Sequence, residues 1–463
     1  MTKSLRLAIA LVLVTVSVAR APTFALRAST FASNASADKS AGEQDIARME
    51  QVIQSHVSAG TFMGTVLVAR DGAVVLDKAY GMANLELEVP NTPATKFRLG
   101  SITKQFTAAS ILLLEERGKL KIDDKVKTYL PDAPMAWDRI TVFNLLTHTS
   151  GIPNFTSLAD YSTIKLSART AESSVVAVHD KTLDFGPGEK MSYSNSGYLV
   201  LGAIIEKVSG QSYEKFVADN IFTPLGMNDS GYDSNTAIIK RRASGYIKTP
   251  AGYVNAGYIH MSIPHAAGAL YSTTGDLLKW EQALFAGKVV SKASLDRMIT
   301  PFKNDYALGL TSTLDKGRRV IAHGGGIDGF NTHLAYYPDT KTVIVALSNV
   351  NGPVPGAVAA QLGALMHGDT VTLSSERKEI TVPVATLSKY VGAYELGPGA
   401  VMTITLEGER LMGQLTGQGK LPIFPQSETL FFLRVVDAQI EFAADASSLV
   451  LHQNGRDTKA TRR

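Results

Sequence analysis

Ser101 and Lys104 stand three positions apart in the run Leu99-Gly100-Ser101-Ile102-Thr103-Lys104-Gln105-Phe106. From Lys104 onward the pattern is helical: Phe106, Ala109, Ser110, Leu113 and Leu114 share a face, and Gly118 marks the stop. One turn of helix therefore puts the Ser101 hydroxyl and the Lys104 amine on the same side. A serine hydroxyl attacks a carbonyl only when a base takes its proton. A lysine serves as that base once burial or neighbouring cations drive its pKa far below about 10.4. The spacing equally describes a serine N-cap beside a solvated lysine, so the chemistry depends on what else the chain supplies.

Two further stretches supply it. Pro187-Gly188-Glu189-Lys190-Met191-Ser192-Tyr193-Ser194-Asn195 reads as a loop, followed by a helix carrying Tyr198, Leu201, Ile204, Ile205 and Val208 and closed by Gly210. Tyr193 and Asn195, two apart, can face one cleft, where a phenol relays a proton and a carboxamide holds a substrate amide. His323-Gly324-Gly325-Gly326 ends the apolar strand Val320-Ile321-Ala322. Glycines on a strand edge let another backbone approach closely, and such a strand can offer an N–H to a developing oxyanion.

These residues need a scaffold, and the chain is long enough for a large domain and a small one. Ile46, Met49, Val52, Ile53 and Val57 make 45–57 an amphipathic helix. Strands 64–70 and 73–80 flank an Asp71-Gly72 hairpin turn. From Lys104 to about Thr300 the reading is mainly helical. Strands return at 306–310, 318–323, 332–337 and 342–347, and a last helix covers 355–366. The expected fold is α/β (α+β): an antiparallel sheet with strands from both ends of the domain, flanked by helices, with an all-helical subdomain inserted. After Gly368 the character changes. A polar stretch leads into short alternating strands at 390–394, 402–406, 410–415, 429–434, 439–442 and 448–451, which predict a small all-β barrel or half-barrel.

The remaining features narrow the class. Lys3 and Arg6 precede an apolar run from Leu7 to Ala19, interrupted by Arg20 and Pro22, which is the pattern of a secretory signal peptide. The expected organisation is a signal peptide at 1–28 and a disordered stretch at 29–43. A catalytic domain follows at 44–368, then a linker at 369–380 and a β domain at 381–463. The protein is expected to be exported, periplasmic or secreted. A net charge of +4 without a Lys/Arg stripe excludes a nucleic-acid surface. Cysteine is absent and the nine histidines lack ligand spacing, so no metal and no cofactor are implied.

In this order the three stretches resemble the serine penicillin-recognising family: class C β-lactamases, DD-peptidases, D-aminopeptidases and related esterases. Ile140-Thr141-Val142-Phe143-Asn144-Leu145-Leu146-Thr147-His148-Thr149-Ser150-Gly151 is similar to the family's most recognisable segment. Pro224-Leu225-Gly226-Met227 and the run from Gly268 to Asp276 are similar to its later ones. The resemblance spans about Gln44 to Met366. It implies Ser101 as acylated nucleophile, Lys104 as its partner, and Tyr193 in proton transfer to the leaving group and from the deacylating water. It also implies Asn195, His323, Gly324 and Gly325 around the substrate, and an oxyanion hole of the Ser101 and Gly326 N–H groups. His148 belongs to a structural segment of the family. The last stretch resembles the lipocalin-like domain appended to some members.

One departure bears on the substrate. Class C β-lactamases carry Lys-Thr-Gly where this chain has His323-Gly324-Gly325. A histidine of ordinary pKa is only partly charged at neutral pH, and Gly324 lacks a hydroxyl for a penicillin carboxylate. A peptidase, amidase or esterase acting on a small-molecule or peptide substrate is favoured over a β-lactamase. An acyltransferase using the same acyl-serine is the alternative; a non-catalytic sensor would not need Ser101, Lys104, Tyr193 and Asn195 together.

Overall fold

The computed structural model describes residues 29–397, 399–434, 438–453 and 456–463, and the expected signal peptide lies outside them. The chain enters through helix α1 (Ser29–Ser58). It takes in the stretch 29–43, where Ala32, Ala35, Ala37 and Ala41 favour helix and no glycine or proline interrupts the run before Gly42. Strands β1 (Gly64–Arg70) and β2 (Ala73–Tyr80) follow as the predicted hairpin. Asp71 and Gly72 both take positive φ, as a tight two-residue turn requires.

Helix α2 (Thr103–Glu116) opens the mainly helical block, which also contains helix α3 (Asn195–Ser209) and helix α4 (Thr274–Phe285). Short strands stand among these helices. Leu270–Ser272 pairs with Phe97–Arg98, and Tyr246–Thr249 pairs with Gly252–Asn255. The sheet resumes with β3 (Thr311–Asp315), β4 (Arg318–Ile327), β5 (Phe330–Tyr337) and β6 (Thr342–Ser348), and helix α5 (Val354–Met366) ends the domain. The strand order is β3-β4-β5-β6-β1-β2, antiparallel throughout, so the first hairpin completes a sheet begun by the last strands.

Alternation along the strands explains why helices cover both faces. Leu67, Ala69, Leu334, Val343, Val345 and Leu347 face the helical block. Val66, Val68, Ala335, Ile344 and Ala346 face α1 and α5, packing with Met49, Val52, Ile53, Val358 and Leu362. Each fully buried aliphatic side chain contributes about 1.5–3 kcal/mol. The helices at the two ends of the domain therefore share one face.

The strand expected at 306–310 is displaced to β3. Ala307, Leu308 and Leu310 are buried instead as irregular chain beneath α2. Gly309 at φ +76° passes so close that a Cβ there would lie 2.5 Å from the Lys104 carbonyl oxygen. The stretch expected as a linker is anchored: Val371 and Leu373 join the α1–α5 core, and Glu376 pairs with Arg48 at 2.5 Å.

A short helix (Val384–Lys389) leads into a nine-stranded antiparallel sheet. Its two edge strands, Leu421–Pro422 and Phe424–Pro425, are separated by Ile423 alone, so the edges meet and the sheet nearly closes as a barrel. Residues 382–460 fill its core by themselves, with Ile404, Leu411, Phe431, Ile440, Phe442 and Leu449.

Candidate active site

The approach to Ser101 is fixed from both sides. Phe97–Arg98 is paired to Tyr271–Ser272, the Leu99 N–H donates to the Leu270 carbonyl at 2.8 Å, and Arg98 Nε donates to buried Asp233 at 2.6 Å. Gly100 then turns at φ +55° and releases the chain into a 3-10 turn (Gly100–Ile102) continuous with α2. One turn later Lys104 has no exposed surface.

Lys104 Nζ lies 3.0 Å from Ser101 Oγ, 2.8 Å from Asn195 Oδ1 and 2.8 Å from the Ala267 carbonyl oxygen. Burial pushes its pKa well below that of an ordinary lysine. A neutral amine has two N–H bonds and one lone pair. In that form, with the two carbonyl-type oxygens accepting the N–H bonds, the lone pair would face the Ser101 hydroxyl. That is the arrangement of a general base.

Tyr193 and Asn195 arrive together, as their spacing predicted. The Tyr193 ring centroid is 4.9 Å from Lys104 Nζ. Surrounding protein pushes the phenol pKa above its usual value, and a hydrogen bond with Ser101 partly offsets this. Tyr193 therefore stays protonated in the resting site. Asn195 opens α3; its backbone N–H and Nδ2 donate to Asn154 Oδ1 at 3.1 and 3.3 Å. Asn154 thus orients the carboxamide whose oxygen meets Lys104.

The third stretch is part of the strand itself, since β4 runs on through Gly326 to Ile327. A Cβ on Gly325 would lie 1.9 Å from the Leu99 carbonyl oxygen, and one on Gly100 would lie 2.8 Å from Gly326 N. Only bare glycines let this strand lie against the turn that carries Ser101. Thr332 Oγ1 seals the contact by donating to the Leu99 carbonyl at 2.7 Å. Gly326 is exposed and Ser101, Tyr193, Asn195 and Gly324 are partly so, which makes buried Lys104 the floor of an open site.

His323 departs from expectation. Its Nδ1 donates to the Gly324 carbonyl at 2.6 Å, and its Nε2 accepts from the Tyr306 hydroxyl at 3.1 Å. Burial pushes its pKa down to about 3. The partial positive charge expected at neutral pH is therefore absent. His148 supports the Tyr193 loop: its Nδ1 accepts from the Ser194 N–H at 3.2 Å, and its ring centroid is 4.2 Å from that of Tyr193.

Sequence reasoning missed Asn154, Tyr306 and the Ala267 carbonyl. Asn154 follows the Thr147–Gly151 segment by three residues, a local signal that was available. Tyr306 read as a strand residue, and a backbone carbonyl leaves no trace in sequence. Among the described residues no group of three His, Asp or Glu side chains is arranged to hold a metal, and no helix is long and apolar enough to cross a membrane.

Comparison with known proteins agrees with this geometry. The family model described as Beta-lactamase matches residues 49–367, and a domain of unknown function, DUF3471, matches 376–455. Penicillin-binding protein 4* of Bacillus subtilis is 32% identical over 437 residues, covering 87% of this chain and 95% of that protein. The octameric penicillin-binding protein homologue from Pyrococcus abyssi superposes with TM-score 0.65 at 27% identity, over 90% of this chain and 100% of that one. The D-amino acid amidase from Ochrobactrum anthropi SV3, solved with L-phenylalanine amide, gives TM-score 0.59 at 26% identity, over 66% of this chain and 92% of that one.

Proposed function

This chain is a serine hydrolase of the beta-lactamase family, and we propose that it acts through an acyl-Ser101 intermediate on small amides or esters that carry no carboxylate, D-amino-acid amides among them. Lys104 takes the Ser101 proton as Oγ attacks the carbonyl carbon. The developing oxyanion is met by the Ser101 and Gly326 N–H groups, which belong to segments held in contact at Gly100. Tyr193 hands its proton to the departing amine or alcohol and is reprotonated from Lys104. Water then attacks the acyl-serine, gives up a proton along the same route in reverse, and frees the acid.

The observation that carries this reading is Lys104, buried with its Nζ within hydrogen-bond distance of Ser101 Oγ, Asn195 Oδ1 and the Ala267 carbonyl oxygen. The preference for substrates without a carboxylate is supported by His323, which is uncharged and has both ring nitrogens occupied. A carboxylate-bearing substrate therefore gains no charge-assisted hydrogen bond from it, a difference of about 1.5–3 kcal/mol or roughly ten- to a hundredfold. The D-amino acid amidase among the structural neighbours supports the amide class. Export belongs to the same reading and rests on Lys3, Arg6 and the apolar run that follows them.

A substrate panel tests it: p-nitrophenyl acetate, D-alanine p-nitroanilide, a peptide ending in D-Ala-D-Ala, and nitrocefin. The acetate and the D-alanine anilide should turn over with a kcat/KM at least about tenfold above that of nitrocefin. Faster turnover of nitrocefin than of the anilide would overturn the substrate assignment.

A further inference from the structure

One ion pair at the end of β4 is used by none of these steps. Asp328 follows the strand directly, and Lys165 reaches it from the helical block with Nζ 2.5 Å from Oδ1. Both side chains are largely enclosed, at 21% and 22% exposure. A nearby loop holds the two together. The His260 N–H donates to the Lys165 carbonyl at 2.8 Å, and a Cβ on Gly257 would lie 3.3 Å from Asp328 Oδ1 and 3.5 Å from Lys165 Nζ. The segment that carries Lys165 begins at Asn154, the residue that orients Asn195. The pair therefore ties the helical side of the site to the sheet side.

Its place along the strand says which part of a substrate it meets. Tyr193, which passes the proton to the leaving group, lies beside His323 with ring centroids 6.3 Å apart. The leaving group thus lies on the His323 side of Gly326, and the acyl group extends the other way, toward Ile327 and Asp328. Asp328 is two residues past Gly326, the first residue of the tight turn that follows Ile327.

Building on the acyl-Ser101 reading, we propose that the Lys165–Asp328 pair is the end wall of the acyl subsite and restricts the enzyme to short acyl groups, of the size of an acetyl or a single amino-acid residue.

The test varies the acyl chain under a constant leaving group: p-nitrophenyl acetate, butyrate and octanoate with the wild type, Asp328→Ala, Lys165→Ala, and the reversed pair Asp328→Lys with Lys165→Asp. The wild type should favour acetate. In each single variant the octanoate-to-acetate ratio of kcat/KM should rise by about tenfold or more, and the reversed pair should bring it back toward the wild type. An unchanged ratio in both single variants, or a wild type that prefers octanoate, overturns the proposal. Failure of the underlying reading looks different: acetate hydrolysis would then be absent from the wild type or would survive Ser101→Ala.

Discussion

Replacing Gly100 with alanine separates backbone strain from oxyanion geometry. Gly100 sits at φ +55°, where a residue with a Cβ is disfavoured by about 1–2 kcal/mol. The added Cβ would also lie 2.8, 3.0 and 3.1 Å from the N, O and C atoms of Gly326. All three are backbone atoms, so neither segment swings aside as a flexible side chain would. The turn and β4 must move apart, carrying the Ser101 and Gly326 N–H groups with them. Loss of one oxyanion donor costs about a hundred- to a thousandfold in kcat, and a misplacement of about 1 Å costs about a hundredfold. Gly100→Ala should therefore lower kcat for p-nitrophenyl acetate by about a hundredfold or more, with a stability loss of about 2–4 kcal/mol in urea melts. Gly118→Ala is the control, because Gly118 has φ +66° and a Cβ there would have nothing within 4 Å. It should lose about 1–2 kcal/mol of stability and keep its kcat. A folded Gly100→Ala enzyme within threefold of wild-type kcat, or an equal loss of kcat in Gly118→Ala, would refute the reasoning.

Other consequences follow from particular groups. Glu281 is fully enclosed and its Oε2 has no hydrogen-bond partner; burial raises its pKa to about 8. The folded state therefore holds a proton that the unfolded state releases near pH 4.5, so stability should fall as pH rises from about 4.5 to about 8, by on the order of 4 kcal/mol. Glu281→Gln should flatten that slope in denaturant melts, and an unchanged slope would place the titration elsewhere. With His323 held neutral, the preference between neutral and carboxylate-bearing substrates should stay level from pH 6 to pH 8; growing preference for the anion toward pH 6 would mean a charged imidazole. A chain ending at residue 380 should remain soluble and hydrolyse p-nitrophenyl acetate, because the barrel core draws on 382–460 alone while Val371, Leu373 and Glu376 belong to the catalytic domain. Insolubility of that chain beside a soluble full-length protein would contradict it.

Much of the fold was legible because apolar spacing dictates it. β1, β2, β6 and α5 lie within a residue or two of the positions that alternation and helical periodicity assign. Sequence failed where burial is not periodic. Ala307, Leu308 and Leu310 looked like a strand, yet they pack as irregular chain around a glycine that touches α2. In the barrel, the two-residue edge strands are too short to show alternation, and 456–462 (Arg-Asp-Thr-Lys-Ala-Thr-Arg) offers Ala460 alone as an apolar residue. The site was legible through residue types at fixed order, and its geometry brings together Ser101, Lys104, Tyr193, Asn195 and the glycine strand. The charge state of His323 was not legible, because it depends on burial among residues remote in sequence, its hydrogen-bond partner Tyr306 among them.

The central claim is that buried Lys104 activates Ser101 for acylation. Intact-protein mass spectrometry after treatment with a serine-reactive phosphonate at pH 7 measures this directly, in the wild type, Ser101→Ala and Lys104→Met. The account predicts one label per wild-type chain, on the peptide containing Ser101, no label in Ser101→Ala, and labelling of Lys104→Met slowed by about a hundredfold or more. A label retained by Ser101→Ala, or a wild-type rate in folded Lys104→Met, would contradict it.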